Sequence, residues 1–259
     1  MRLRVPALVV AATLALAACG SSGSSSTSSP SASDSATGSI IVFAAASLKE
    51  SFTTIGTQFE AAHPGSKVTF NFGASSTLAT QITQKAPADV FAAASTKTMD
   101  TVVLAGAASG PQTFAVNTME IATPPKSTVT ITSVADLAKP GVKVVVCQKA
   151  VPCGVAAAAV FTKNNVTVTP VSEEADVKAV LTKVELGEAD AGIVYVTDVK
   201  AAGDKVVGVE IPTDQNVTTK YPIAAISAST QTATAQAFVA YVLSPAGQSV
   251  LSAAGFAAP

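Results

Sequence analysis

The sequence predicts an α/β protein in which mostly parallel sheets are flanked by helices. Short apolar segments, typical of buried strands, alternate along it with segments that carry apolar residues at helical spacing. The first such unit is a strand at 40–45, followed by a helix that ends near Pro64-Gly65. The apolar stripe of that helix repeats at steps of four, three and four residues: Leu48, Phe52, Ile55 and Phe59.

The same alternation continues to the C-terminus. Six further strands are predicted at 89–94, 112–122, 143–147, 190–196, 206–211 and 221–227. Helical patterns lie at 76–85, 96–105, 133–138, 154–163, 173–186, 231–243 and 245–253. Prolines at 124–125 and 222 fit crossovers between two sheets, but the pattern alone leaves that division open.

The N-terminal segment predicts export. Residues 1–18 combine a basic start with an apolar stretch too short to cross a bilayer, as in a secretory signal peptide. Residues 16–20 read Leu-Ala-Ala-Cys-Gly, which resembles the bacterial lipobox and implies that Cys19 carries a lipid. Residues 19–39 then form a Ser-rich tether. The alternative is an ordinary signal peptide with an incidental cysteine; the lipobox reading predicts a lipoprotein anchored outside the cytoplasm to the cell membrane.

The charge balance limits the possible ligands. Both arginines, Arg2 and Arg4, lie in the leader, so the exported part has 14 lysines against 17 acidic residues, a net charge near −3. Such a surface does not recruit nucleic acid. An anionic ligand would therefore be held by local dipoles rather than by a positive field.

Three segments place small or hydroxyl residues where a helix begins. Ser47 follows the first strand, Ser75 and Ser76 precede a second helix, and residues 151–154, Val-Pro-Cys-Gly, precede a third. Each start offers free backbone N–H groups to an anion. Taken singly, the serines could equally be N-caps.

Two further segments have the same ambiguity. A fourth helix start lies at Glu174 to Lys178. It either contributes to an anion site or simply has acidic side chains that interact favourably with the positive end of the helix dipole. Tyr195 ends an apolar strand, where its hydroxyl could donate a hydrogen bond or its ring could simply pack.

Taken together, residues 40–259 resemble the periplasmic molybdate-binding protein family in motif order and spacing. The matching motifs are Ala-Ala-Ala-Ser-Leu at 44–48, Ser-Ser-Thr-Leu-Ala at 75–79 with Gln-Ile at 81–82, Ala-Pro-Ala-Asp-Val-Phe at 86–91, Val-Pro-Cys-Gly at 151–154, Asp-Val at 176–177 after two acids, Gly-Ile-Val-Tyr at 192–195, Tyr-Pro-Ile at 221–223 and Gly-Phe at 255–256.

The resemblance implies a two-domain periplasmic-binding-protein fold of type II-like form. Domain I would be 40–122 plus 223–259, and domain II would be 123–222, with hinge strands near 120–125 and 219–224. The protein would close over molybdate, and tungstate as well, and deliver it to the membrane permease of an ABC transporter. A monomer without enzymatic activity or cofactor is expected.

The resemblance also implies the ligand-binding residues. Ser47 and Ser75 would donate through hydroxyl and backbone N–H, Cys153 and Val177 through backbone N–H, and Tyr195 through its hydroxyl. These neutral donors suit molybdate, tungstate or sulfate, which are fully deprotonated, better than phosphate, which keeps a proton that needs an acceptor. Molybdenum would be held only as the oxyanion, without side-chain metal ligands.

Separate expectations concern the two cysteines of the folded part and three aspartates further along the chain. The family often has a small non-cysteine residue at the position of Cys153, where only the N–H is needed. Cys147 and Cys153 are expected to form a disulfide, the alternative being two free buried thiols. Asp198, Asp204 and Asp214 are interpreted as loop carboxylates without a site.

Three other functions remain as alternatives. A sulfate or general oxyanion receptor would use the same residues, and Ser76 could replace Ser75 as ligand. An exported thiol oxidoreductase would use Cys147 and Cys153, although their spacing is not Cys-x-x-Cys. A hydrolase is disfavoured because the sequence contains one histidine, His63, at a helix end.

Overall fold

The computed structural model describes residues 36–259, which belong to one compact unit. The predicted signal peptide, the predicted lipidation site Cys19 and most of the predicted tether lie outside these residues. Strand β1, Gly38–Ala45, begins two residues before the predicted start of the first strand.

Residues 36–259 form nine strands and eight helices. The strands are β1 (Gly38–Ala45), β2 (Ser66–Gly73), β3 (Val90–Ala92), β4 (Gln112–Thr123), β5 (Val144–Cys147), β6 (Ser172–Glu174), β7 (Ala191–Tyr195), β8 (Val207–Glu210) and β9 (Thr218–Ala225). The helices are α1 (Lys49–Ala62), α2 (Ser75–Thr83), α3 (Thr96–Leu104), α4 (Pro152–Lys163), α5 (Val177–Glu185), α6 (Val196–Ala202), α7 (Thr232–Leu243) and α8 (Pro245–Ala254). Short 3-10 turns lie at Ala46–Leu48, Val134–Ala138 and Gly203–Lys205.

The sheet is mixed, which corrects the prediction of mostly parallel sheets, while the α/β class is confirmed. Its order is β2-β1-β3-β9-β4-β7-β5-β6, and β8 pairs with β4. The pairs β1–β2, β1–β3, β5–β6 and β5–β7 are parallel. Every pair that involves β4 or β9 is antiparallel, and these two strands lie between the two parallel groups of the sheet.

Strand β4 changes partners along its length. Residues 112–118 pair with β9, whereas residues 119–123 pair with β7 and β8. The hydrophobic core is divided at the same place. The terminal core draws its buried residues from 36–115 and 221–256, and the central core draws them from 119–211 together with Ala46. The strand thus joins two separately packed halves of the protein.

Three elements differ from the sequence predictions. Strand β2 and helix α6 were not predicted, and β6 occupies the start of the helix predicted at 173–186. Strand β6 forms because Ser172–Glu174 pairs in parallel with Val145–Cys147, so an edge position in the sheet overrides the helical pattern of the segment.

Helices α7 and α8 cover part of the terminal core. The Phe238 ring of α7 meets Phe52 and Phe59 edge-on, with ring centroids 6.1 Å and 5.3 Å away.

Within residues 36–259, no single helix has the length and apolarity to cross a membrane. Helices α7 and α8 meet those criteria only as a pair bent by 58°.

Candidate binding site

All five predicted ligand residues line one small cavity between the terminal and central cores. They are Ser47, Ser75, Cys153, Val177 and Tyr195, and each is at most 5% exposed. The cavity has a volume of about 20 Å³. This is slightly more than one water needs, and far below the roughly 300 Å³ at which pockets for organic ligands begin. The space therefore suits a small ion.

Four helical segments begin at this cavity. They are the 3-10 turn at Ala46–Leu48 and helices α2, α4 and α5. The residues before the first three are Ala45, Ala74 and Val151, and within the described chain no side chain caps these three starts. Alanine and valine have no polar atom to cap with, so the first-turn N–H groups stay available to a ligand. The interpretation of Ser47 and Ser75 as N-caps is therefore wrong.

The Ser75 hydroxyl accepts a hydrogen bond from the protein backbone. Its Oγ lies 3.0 Å from the Ala94 N–H that donates to it, and the residue is 1% exposed. The hydroxyl proton of Ser75 is thereby left to donate elsewhere. Ser76 is partly exposed and lines a different cleft. Of the two serines, Ser75 is the one that faces the cavity.

Ser47 is held by a residue that sequence reasoning did not select. Its Oγ lies 2.9 Å from the hydroxyl of Tyr221, a buried residue of β9. Burial raises the pKa of Tyr221 well above its ordinary value, so this phenol stays protonated. If Tyr221 donates to Ser47, the Ser47 proton can point to a ligand. Only the tertiary structure reveals this pair, because the two residues are 174 positions apart.

Tyr195 presents a buried donor that lacks a well-formed hydrogen bond. Its hydroxyl is fully buried and makes no hydrogen bond of normal geometry among residues 36–259, while the Tyr221 and Thr219 hydroxyls lie near enough to act on its pKa. Burial raises the pKa of Tyr195, and the nearby charge of Asp198 raises it further. The phenol therefore keeps its proton at any physiological pH. A buried hydroxyl of this kind is unfavourable unless an acceptor reaches it.

Asp176 is the acidic residue that lines the cavity, and it caps α5. Its Oδ1 accepts hydrogen bonds from the N–H groups of Lys178 at 2.9 Å and Ala179 at 3.1 Å. This cap covers the second and third residues of the helix and leaves the N–H of Val177, the first residue. Both hydrogen bonds end on Oδ1, so this carboxylate serves as the cap of the helix.

The start of α4 is fixed by a covalent bond and by close packing. The structure joins Cys147, at the end of β5, to Cys153, the second residue of α4, by a disulfide. A Cβ on Gly154 would lie 2.0 Å from the backbone carbonyl oxygen of Gln148, which is closer than a Cβ atom and an oxygen can approach. Glycine is therefore required for the helix to approach this strand so closely.

Asp198 is not the loop residue that the sequence predicted. It lies in α6 and is 0% exposed. Its Oδ2 accepts a hydrogen bond of 3.1 Å from the Tyr195 N–H, and its Oδ1 lies 3.0 Å from Lys178 Nζ. Burial raises the pKa of Asp198, while the Lys178 ammonium group acts in the opposite direction. A sequence signal exists, because Asp198 is the third residue of a helix that directly follows a strand.

Fold and site together define a binding protein for a small ligand. The cavity lies between two packed halves of an α/β fold and is lined by hydroxyl and backbone N–H donors. Within residues 36–259, no group of three or more His, Cys, Asp or Glu side chains is placed to hold a metal ion.

Residues 40–257 match the family model of the bacterial extracellular solute-binding proteins, and the chain belongs to this family. It is 49% identical over 222 residues to the molybdate-binding protein ModA of Mycobacterium tuberculosis, covering 85% of each chain. The prediction of a non-enzymatic solute-binding protein outside the cytoplasm is confirmed.

Solved structures show how widely the fold is shared. The periplasmic molybdate-binding protein of Azotobacter vinelandii superposes with a TM-score of 0.76 at 20% identity, covering 85% of this chain and 99% of that one. The sulfate-binding protein SubI of Mycobacterium tuberculosis gives 0.73 at 19% identity, covering 85% and 86%. Because both structures share the fold, the fold alone does not identify the anion.

Proposed function

We propose that this protein captures molybdate, and also tungstate, and delivers it to the membrane permease of an ABC transporter. The observation that carries the proposal is the buried Tyr195 hydroxyl, which faces a cavity lined by four helix starts and makes no hydrogen bond of normal geometry among the described residues. An oxygen of a bound oxyanion would supply a well-placed acceptor. The 49% identical relative named as a molybdate-binding protein supports molybdate as the anion.

The balance of charge supports a dianion. Each helix N-terminus carries roughly half a positive charge, and the Asp176 carboxylate already offsets that of α5. The other three starts together offset about one and a half negative charges. These three starts have no capping side chain within the described chain, which leaves their N–H groups to the anion. A doubly charged oxyanion can therefore be held without a cationic side chain in contact with it.

We assign the ligand contacts as the sequence predicted them. Ser47 and Ser75 donate through hydroxyl and backbone N–H, Cys153 and Val177 through backbone N–H, and Tyr195 through its hydroxyl. All five are neutral donors. Sulfate is smaller than molybdate, so donors fixed at molybdate distance leave it with stretched hydrogen bonds, each worth about 1.5–3 kcal/mol when well formed. Phosphate is disfavoured because it keeps a proton that needs an acceptor, and Asp176, the acidic residue that lines the cavity, serves as the cap of α5.

The closing motion and the membrane anchor are part of the same proposal. Domain I, 40–122 plus 223–259, and domain II, 123–222, move about the crossing strands β4 and β9 and enclose the anion. The change of partners along β4 and the division of the core support two domains joined by these strands, with the change at 118–119, four residues before the boundary at 122–123. Signal peptide cleavage before Cys19 and lipidation of that residue tether a monomer to the membrane through residues 19–39.

Calorimetric titration of residues 36–259, which belong to one compact unit, tests the proposal. Molybdate, tungstate, sulfate and phosphate are titrated separately under the same buffer conditions. We expect one-to-one binding of molybdate and tungstate, with sulfate at least roughly 100-fold weaker because several charged hydrogen bonds are lost or stretched. Equal binding of sulfate would make the protein a general oxyanion receptor, and the absence of binding to all four anions would refute the proposal.

Reducing the disulfide tests the thiol alternative. We expect dithiothreitol to lower the free energy of unfolding by about 2 kcal/mol, as for a disulfide that closes a short loop. Molybdate binding should weaken by less than roughly tenfold, because the Cys153 N–H remains but its loop is less rigid. Denaturant unfolding and calorimetry measure both effects, with the Cys147→Ser/Cys153→Ser variant as a control that dithiothreitol leaves unchanged. Catalysed reduction of a disulfide substrate would instead favour the oxidoreductase.

A further inference from the structure

Three charged residues outside the cavity form one ion-pair cluster behind it. Lys178 Nζ lies 2.8 Å from Glu50 Oε2 and 3.0 Å from Asp198 Oδ1. The Lys178 side chain is 20% exposed, Asp198 is 0% exposed and Glu50 is 49% exposed. We call this set the Lys178 cluster.

Each member of the Lys178 cluster lies close in sequence to one proposed anion donor. Glu50 is three residues after Ser47, Lys178 directly follows Val177, and Asp198 is three residues after Tyr195. The link between Asp198 and Tyr195 is also a contact, because the Asp198 carboxylate accepts the Tyr195 N–H.

The Lys178 cluster also joins the two halves of the protein. Glu50 belongs to α1, which packs in the terminal core, whereas Lys178 and Asp198 belong to α5 and α6 of the central half. The Lys178–Glu50 pair therefore crosses between the halves on which the anion donors are placed. The Lys178–Asp198 pair stays within the central half.

Charge gives Lys178 a second effect on the site. Asp198 is a fully buried carboxylate, and its charge contributes to the raised pKa of Tyr195. An unpaired negative charge at that position would repel an anion in the cavity. The ammonium group of Lys178 offsets this charge without contacting the cavity itself.

We infer that Lys178 is a positioning residue for the oxyanion site. Its ammonium group neutralises the Asp198 carboxylate, which accepts the Tyr195 N–H. Its ion pair with Glu50 holds the two halves of the protein together when the cavity encloses the anion. The inference rests on the proposed function and adds to it a residue that does not touch the ligand. Because a fastening between the halves acts after the anion has entered, its loss should speed release of the anion more than it slows capture.

The experiment measures molybdate dissociation and association rates by stopped flow for Glu50→Gln, Lys178→Met, Lys178→Arg and Lys183→Met. Lys183 is the matched control, because it lies on the same helix, forms ion pairs with Glu174 and Glu188, and its replacement changes the net charge equally. The wild-type titration is done first, so that failure to bind molybdate would refute the proposed function, and this inference with it, before any variant is compared.

We expect Glu50→Gln to raise the dissociation rate about 2- to 5-fold, as for a partly exposed ion pair. Lys178→Met should raise it at least about 10-fold, because a buried charge loses its partner. Lys178→Arg should stay within about 3-fold of wild type, since a guanidinium group can bridge two carboxylates. Association rates should change by less than about 3-fold.

Two results would overturn the inference while leaving the proposed function intact. One is a wild-type dissociation rate in both Glu50→Gln and Lys178→Met. The other is an equal effect of Lys183→Met, which would reduce the role of Lys178 to its contribution to net charge. Glu50→Gln keeps the test valid if Lys178→Met does not fold, because the Glu50 side chain is half exposed and the substitution preserves its shape.

Discussion

Replacing Tyr195 by phenylalanine is expected to weaken molybdate binding by roughly 10- to 150-fold, the value of one hydrogen bond to a charged acceptor. The same substitution should stabilise the ligand-free protein by about 1 kcal/mol, because it removes a buried hydroxyl that makes no hydrogen bond of normal geometry within residues 36–259. The two opposite effects follow from one atom. Calorimetry measures the first, and denaturant unfolding without ligand measures the second.

Tyr241→Phe is the matched control for this prediction. Tyr241 lies on α7, where its ring packs against Phe59 and His63 and is distant in the fold from the cavity. This control should leave molybdate affinity unchanged. A Tyr195→Phe variant that binds molybdate as tightly as the wild type would show that the phenol is not a ligand. A less stable ligand-free protein would show that the hydroxyl is satisfied within the fold.

Replacing Gly154 by alanine is expected to damage both stability and binding. The added Cβ would lie 2.0 Å from the Gln148 carbonyl oxygen and 2.9 Å from that of Cys147, so the start of α4 must move. We expect the free energy of unfolding to fall by about 1–3 kcal/mol or more, as for overpacked sites. Molybdate affinity should fall at least roughly tenfold, because the Cys153 N–H is displaced with the helix. Denaturant unfolding and calorimetry measure the two losses.

Gly73→Ala provides the comparison at the same cavity. A Cβ on Gly73 would meet the Leu78 side chain at 3.8 Å, an ordinary van der Waals distance. The change in stability should therefore be below roughly 0.5 kcal/mol. If Gly154→Ala unfolds at the same denaturant concentration as the wild type, the close approach of α4 to the end of β5 is not required.

Much of the fold follows from local pattern. The stripe from Leu48 to Phe59 predicts α1, and the interrupted pattern of apolar residues at 112–122 predicts β4 almost to the residue, because the spacing of apolar residues reflects which face is buried. Strand β6 could not be predicted in this way. Its three residues are polar, and they become a strand only because the edge of β5 offers backbone partners.

The sequence by itself determined which residues to examine in the site. Small or hydroxyl residues at the expected helix starts are visible in the sequence and predict available N–H groups, and the family resemblance selected the donors that line the cavity. Local sequence is sufficient here because a helix start is a local structure, formed by consecutive residues.

Only the tertiary structure decided how those donors are oriented and balanced. It brought Tyr221 to Ser47 and Lys178 to Glu50, and it buried Asp198 beneath Tyr195. These relations join residues on different elements, and the sheet pairing and core packing set their distances. Burial and charge at a site depend on everything that surrounds it, so no stretch of sequence contains them.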